Sequence, residues 1–84
     1  MITVKLFGTL RVDTGVKTVQ VEGNRIKDLY APVLEAILRE NPGAEVTLKK
    51  LKSCNAAING KLSSPASKLQ AGDTVYLFPA VAGG

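Results

Sequence analysis

The apolar positions of the chain change period along its length, and each period predicts an element. Ile2, Val4 and Leu6 alternate with Thr3, Lys5 and Phe7, the period of two expected of a strand with one buried face. Gly8-Thr9-Leu10-Arg11 continues or bends that strand, and Asp13-Thr14-Gly15 reads as a turn. Val16, Thr18 and Val21 outline a second strand. Val19 and Val21 have the opposite parity to Val16, which points to a bulge or a change of register near Lys17. Strand, tight turn and strand predict an antiparallel hairpin.

After Gly23-Asn24 the period becomes helical. Ile26, Leu29, Tyr30, Val33, Leu34, Ile37 and Leu38 form one continuous stripe at three- and four-residue spacing. Asn24 is the expected N-cap, and Asn41-Pro42-Gly43 the expected stop. Pro32 lies off the stripe, and a proline inside a helix loses a hydrogen bond and clashes with the preceding turn. The spacing therefore predicts either a kink at Pro32 or a short opening turn followed by a helix from about that residue.

Beyond the helix, Val46, Leu48 and Leu51 suggest a short strand or an irregular stretch, while Cys54, Ala56 and Ile58 alternate as a strand. Asn59-Gly60 is a type I′ turn dipeptide, so Lys61 and Leu62 begin a short return strand. Ser63 to Ser67 is a loop, Ala71-Gly72-Asp73 a turn, and Thr74 to Phe78 the last strand. That strand is apolar on both faces, which places it inside the sheet beside the first. A lone amphipathic helix must cover one sheet face. The expected fold is α+β and of the β-grasp type, that of ubiquitin: a mixed sheet, one main helix on one face, a domain over residues 1–79, and a flexible C-terminal tail over residues 80–84.

The alternation also assigns faces. Val75 and Leu77 should meet the helix, so Tyr76 and Phe78 point to the opposite, uncovered side, and Phe7 points the same way from the first strand. Leu62 follows the Asn59-Gly60 turn close to them. An exposed patch of Phe7, Leu62, Phe78 and Tyr76 is the expected partner interface, because apolar patches mark protein contacts and aromatic anchors carry much of their energy.

Composition narrows the chemistry. With 84 residues the chain makes one domain, and it buries only roughly 60% of the surface it would expose unfolded. Histidine is absent and Cys54 is the sole cysteine, so the commonest general base and metal ligand is missing and no internal disulfide forms. No bound cofactor and no metal site are expected. The net charge of +4 has its densest cluster at Lys49, Lys50 and Lys52, with no nucleic-acid motif around it, which reads as a solvated face. No apolar run is long enough for a bilayer, and Met1 to Leu10, alternating and carrying Lys5, does not read as a signal peptide. The expectation is a cytoplasmic protein with neither nucleic-acid nor membrane partners.

The last eight residues, Leu77-Phe78-Pro79-Ala80-Val81-Ala82-Gly83-Gly84, run from a strand through one proline into small residues and two glycines. A terminal Gly-Gly contributes nothing to a core and is either a frayed end or a substrate. Without side chains at Gly83 and Gly84, and with small ones at Val81 and Ala82, such an end can thread a narrow slot. From Ala80 to Gly84 it reaches roughly 16 Å at about 3.3 Å per extended residue.

Three segments carry a resemblance: Val4-Lys5-Leu6-Phe7-Gly8-Thr9-Leu10-Arg11, Ala57-Ile58-Asn59-Gly60, and Leu69 through Gly84. Together they resemble the ubiquitin-like sulfur carriers, and among them most of all the small subunits of molybdopterin synthase. The likeness covers the whole chain; its first and last segments are specific, and the middle one matches in pattern. It implies that a ubiquitin-activating-type adenylyltransferase uses ATP to adenylate the Gly84 carboxylate, and that a sulfur donor protein then displaces AMP to leave a thiocarboxylate. It implies further that the charged tail enters the large subunit of molybdopterin synthase and gives its sulfur to a pterin precursor. In this family apolar residues at the positions of Phe7, Leu62 and Phe78 form the large-subunit interface. Gly83 and Gly84 match the family tail, and Cys54 matches no motif residue. The same resemblance leaves open a protein modifier joined through Gly84 to lysines, and a carrier for another pathway such as thiamine.

Overall fold

Five strands make one mixed sheet in the order β2-β1-β5-β3-β4 in the computed structural model, which describes residues 1–80. They are β1 (Ile2–Leu6), β2 (Thr18–Val21), β3 (Asn55–Ile58), β4 (Lys61–Ser63) and β5 (Thr74–Phe78). β1 and β5 are parallel, and every other neighbouring pair is antiparallel. β5 lies in the middle, as its two apolar faces require. Its inward residues Val75 and Leu77 are buried with Val4 and Leu6 of β1. Helix α2 (Tyr30–Glu40) adds Val33 and Ile37 to the same core. The tail expected after residue 79 enters the described residues only as far as Ala80.

The link between β1 and β2 is not the tight turn that Asp13-Thr14-Gly15 suggests. A helix, α1 (Gly8–Thr14), occupies it. Leu10 and Thr14 are buried one turn apart on α1, and the Thr14 hydroxyl donates to the Leu10 carbonyl at 2.8 Å. Gly15 ends the helix in the left-handed region (φ 70°), and its N–H donates to the Arg11 carbonyl. The antiparallel pairing survives the longer connection, with Ile2 opposite Val21 and Lys5 opposite Thr18. The Leu6 N–H donates to the Lys17 carbonyl at 2.8 Å, in register with those pairs, so no bulge forms at Lys17. Val16 has the other parity because it precedes the strand and packs into the core from the turn after α1.

Pro32 sits where a proline costs least. A 3₁₀ turn at Ile26–Asp28 opens the segment, and Pro32 is the third residue of α2, where the N–H has no intrahelical acceptor. The opening-turn alternative is thus the one realised. Asn24 is not the N-cap: Leu29 precedes α2 without a side-chain cap, and the Asn24 carbonyl instead accepts from the Leu69 N–H at 2.8 Å. Asn41 ends the helix as expected, and its side chain donates to the Thr14 carbonyl at 2.8 Å, tying α2 to the end of α1.

Val46, Leu48 and Leu51 belong to no strand. Thr47 caps a short helix, α3 (Leu48–Lys52), accepting from the Lys50 N–H at 3.1 Å and leaving Leu51 buried. The turn between β3 and β4 is as the dipeptide predicts, with Asn59 at φ 50° and Gly60 at φ 91°. The Asn59 side chain also accepts from the Thr74 N–H and donates to Asp73, which pins this hairpin to the start of β5.

Candidate partner face and tail root

The outward residues of the sheet form a row across all five strands. Thr18 neighbours Lys5, Lys5 neighbours Tyr76, Tyr76 neighbours Ala57, and Ala57 neighbours Leu62. Leu62 is 78% exposed and Tyr76 half-buried. Just past β1, the Phe7 N–H donates to the Leu77 carbonyl at 3.0 Å, which carries the Phe7 side chain over the end of β5. Its ring centroid lies 5.6 Å from that of Tyr76, tilted by 36°, a spacing aromatic pairs favour. The Lys5 ammonium lies 6.0 Å from the same Tyr76 ring, at the outer limit of a cation–π contact. Phe78, half-buried, is two residues further along β5 and opposite Asn55.

The structure therefore brings Phe7 and Tyr76 into contact and puts Phe78 on the same strand and face as Tyr76. Leu62 is separated from Tyr76 by Ala57, whose small side chain is buried between them in the row. The patch is a band across the sheet rather than a tight cluster. Lys5 and Ala57 belong to it too; Lys5 shares the parity of Phe7, the signal from which it could be read.

The chain leaves β5 at Pro79, next to this band. Gly8 has φ +62°, and a Cβ there would come within 3.3 Å of the Pro79 ring. Glycine is needed at this position both for its backbone conformation and for the close approach of Pro79. Pro79 is half-buried and Ala80 exposed. The predicted threading residues Val81, Ala82 and Gly83 and the predicted reacting residue Gly84 lie outside the described residues.

Other polar groups are set up for structure. Cys54 is buried in the core cluster, and its thiol donates to the Lys50 carbonyl at 3.3 Å. Burial pushes that thiol up, with the nearby Lys50 charge acting the other way, so it is a neutral thiol near pH 7 rather than a nucleophile. Among the described residues no group of three His, Cys, Asp or Glu side chains could hold a metal ion, and no helix is long and apolar enough to cross a membrane.

A mixed sheet with its last strand central and covered by one long helix defines a ubiquitin-like protein of the β-grasp type. Residues 4–84 match the model of the ThiS family, and the chain belongs to that family of ubiquitin-like sulfur carriers. It is similar to a putative molybdopterin converting factor subunit 1 from Pyrococcus furiosus, at 30% identity, covering 95% of this chain and 97% of that one with a TM-score of 0.66. It is also similar to SAMP1, the small archaeal modifier protein 1 of Haloferax volcanii, at 27% identity over 99% and 98% of the two chains with a TM-score of 0.60. A third likeness is to the complex of subunits 1 and 2 of molybdopterin-converting factor from Helicobacter pylori, at 28% identity over 99% and 97% with a TM-score of 0.57. No curated protein matches the chain.

Proposed function

We propose that the chain carries sulfur on Gly84 for molybdopterin synthesis, as the small subunit of molybdopterin synthase. A carboxylate oxygen of Gly84 attacks the α-phosphorus of ATP on a ubiquitin-activating-type adenylyltransferase, and pyrophosphate leaves. The acyl adenylate is a good electrophile where the free carboxylate is a poor one. The outer sulfur of a persulfide on a donor protein attacks the acyl carbon and AMP leaves with the oxygen; a thiol then attacks the donor's own sulfur, breaks the S–S bond of the acyl disulfide and forms a new disulfide, leaving the thiocarboxylate on Gly84. The tail then enters the large subunit, which supplies the acid, base and substrate-binding groups for transfer to the pterin. Phe7, Tyr76, Phe78 and Leu62 hold the large subunit, and Val81, Ala82 and Gly83 thread its slot.

The observation that carries this reading is the placement of the tail root. β5 ends at the aromatic band, and Pro79 is seated against Gly8 at its margin. A partner gripping the band thus receives the chain end directly. The subunit 1 and 2 complex from Helicobacter pylori supports a partner of this kind. The test is intact mass on protein purified from its own host, with an organomercury gel that retards thiocarboxylates. The expected result is replacement of one oxygen by sulfur, localised to Gly84 by fragmentation, because oxidation at Met1 or Cys54 gives nearly the same shift. Deleting Gly84 should remove the signal and leave the melting temperature unchanged. The likeness to SAMP1 favours a second reading, in which the activated Gly84 is attacked by a lysine amine of a target protein. Gly84 found only as free acid or in lysine-linked adducts, with sulfur ample, would replace the first reading by the second.

A further inference from the structure

Four asparagines stand in the chain, and only Asn59 is followed by glycine. That dipeptide is chemically reactive as well as a good turn. The backbone nitrogen of the next residue can attack the asparagine Cγ, and a side chain on that residue hinders the approach. Arg25, Pro42 and Ala56 follow the other three asparagines, and Pro42 has no N–H at all. Gly60 offers no such hindrance. It is exposed, a Cβ there would meet nothing within 4 Å, and its N–H has no acceptor among the described residues.

The Asn59 carboxamide, by contrast, is tied on both of its polar atoms. Its Oδ1 accepts from the Thr74 N–H at 3.0 Å, and its Nδ2 donates to Asp73 Oδ1 at 3.1 Å. The other Asp73 oxygen accepts from the Gln70 N–H at 2.8 Å, which fixes the carboxylate in place. The Asn59 N–H itself donates to the Thr74 carbonyl at 2.8 Å. These bonds hold the carboxamide on residues 73 and 74, and it reaches the Gly60 nitrogen only when they open. We infer that Asn59 is a guarded deamidation site: its clasp on Asp73 and Thr74 sets the rate, and its conversion to a carboxylate unfastens the β3–β4 hairpin from the head of β5.

In the reaction the Gly60 nitrogen gives its proton to a base in the solvent and bonds to Asn59 Cγ. The Cγ–Nδ2 bond breaks, and the nitrogen leaves as ammonia with a proton taken from solvent. Water then opens the five-membered imide at either carbonyl, leaving aspartate or isoaspartate at position 59. Either product sets a second carboxylate where a donor faced Asp73, so a hydrogen bond becomes a like-charge contact. Isoaspartate also lengthens the backbone inside a two-residue turn, against the pairing of Ile58 with Lys61. The damage falls on the hairpin that carries Leu62.

The experiment incubates the purified full chain at mildly alkaline pH and follows position 59 by peptide mapping and enzymatic methylation of isoaspartate. Conversion should be slow in the folded parent, and several-fold faster both in parent unfolded by guanidinium chloride and in folded Asp73→Ala. Asp73→Asn, with one acceptor oxygen for two donors, should lie between them, and it carries the comparison if Asp73→Ala does not fold. Asn59→Asp makes one product directly, and should lower the urea midpoint and speed hydrogen exchange of the β4 amides. The swapped double variant Asn59→Asp/Asp73→Asn again sets a donor against a carboxylate and keeps an acceptor for Gln70, so it should recover both. The inference is overturned if position 59 stays intact even in the unfolded chain, or if loosening the clasp in a folded variant does not speed conversion. It is equally overturned if Asn59→Asp is as stable and as protected as the parent, or if the swap fails to recover.

Discussion

The two faces of β5 differ although a single strand makes both. Val75 and Leu77 are buried among residues of β1, β3 and α2, while Tyr76 and Phe78, interleaved with them, are half-buried on the side that also carries Phe7 and Leu62. Both sets are apolar, so hydrophobicity alone does not separate the core face from the outer face. What separates them is the element placed over each. The inward face receives α2 and Leu51 of α3, and among the described residues the outward face receives only its own neighbours in the row, including the Phe7 and Lys5 contacts with Tyr76. An exposed aromatic band costs solubility, and its persistence is intelligible if a partner covers it.

The contrast can be broken most sharply from the inward side. Leu77→Ala removes a fully buried side chain and should cost about 2–5 kcal/mol in urea unfolding. Gly8→Val strikes the point where the two faces meet the tail. A β-branched residue at φ +62° and a Cβ against Pro79 should cost about 1–3 kcal/mol, and should also weaken partner binding by displacing the tail root. Phe78→Asp should change stability by less than about 1 kcal/mol, because its side chain is only half-buried, yet abolish capture of the large subunit in a pull-down. A cooperative loss of structure in Phe78→Asp would instead assign Phe78 to the core.

The smallest expected effect sharpens the buried side. The Cys54 thiol is raised above its ordinary value by burial, so the folded state holds that proton more tightly than the unfolded state. The extra stability is fully present below the ordinary thiol range and is lost as pH climbs through it toward the raised value. Tyr30, also raised by burial, acts in the same direction at higher pH. Urea midpoints should therefore fall from neutral to alkaline pH, and Cys54→Ala should flatten part of that slope. An unchanged slope in the variant would show that Cys54 does not carry it.

Sequence periodicity revealed the long elements and missed the short ones, for a physical reason. α2 spans enough turns for its stripe to repeat, and β5 is bounded by the Ala71-Gly72-Asp73 turn and Pro79, so both were legible. α1 and α3 have seven and five residues, too few for a stripe to declare itself, and they owe their stability to Leu10, Thr14 and Leu51 fitting into the core. Their ends were nonetheless written in the chain: Gly15 as a left-handed cap, and Thr47 as an N-cap before Leu48 and Leu51. Asn24 misled because an asparagine before a helical stripe suits a loop as well as a cap. The patch was legible in parity for Phe7, Tyr76 and Phe78. The place of Leu62 was not, since it depends on Ala57 lying between Leu62 and Tyr76, a relation fixed by strand order rather than by spacing.

The central position of β5 has a mechanical consequence. The strand that ends in the tail is flanked on both sides, by β1 running parallel and β3 antiparallel, and tension applied beyond Pro79 pulls along its axis. The interstrand hydrogen bonds are then loaded in shear, all together, rather than peeled one after another. Pulling the chain end out of the folded body therefore means breaking the ladders to both neighbours of β5 together.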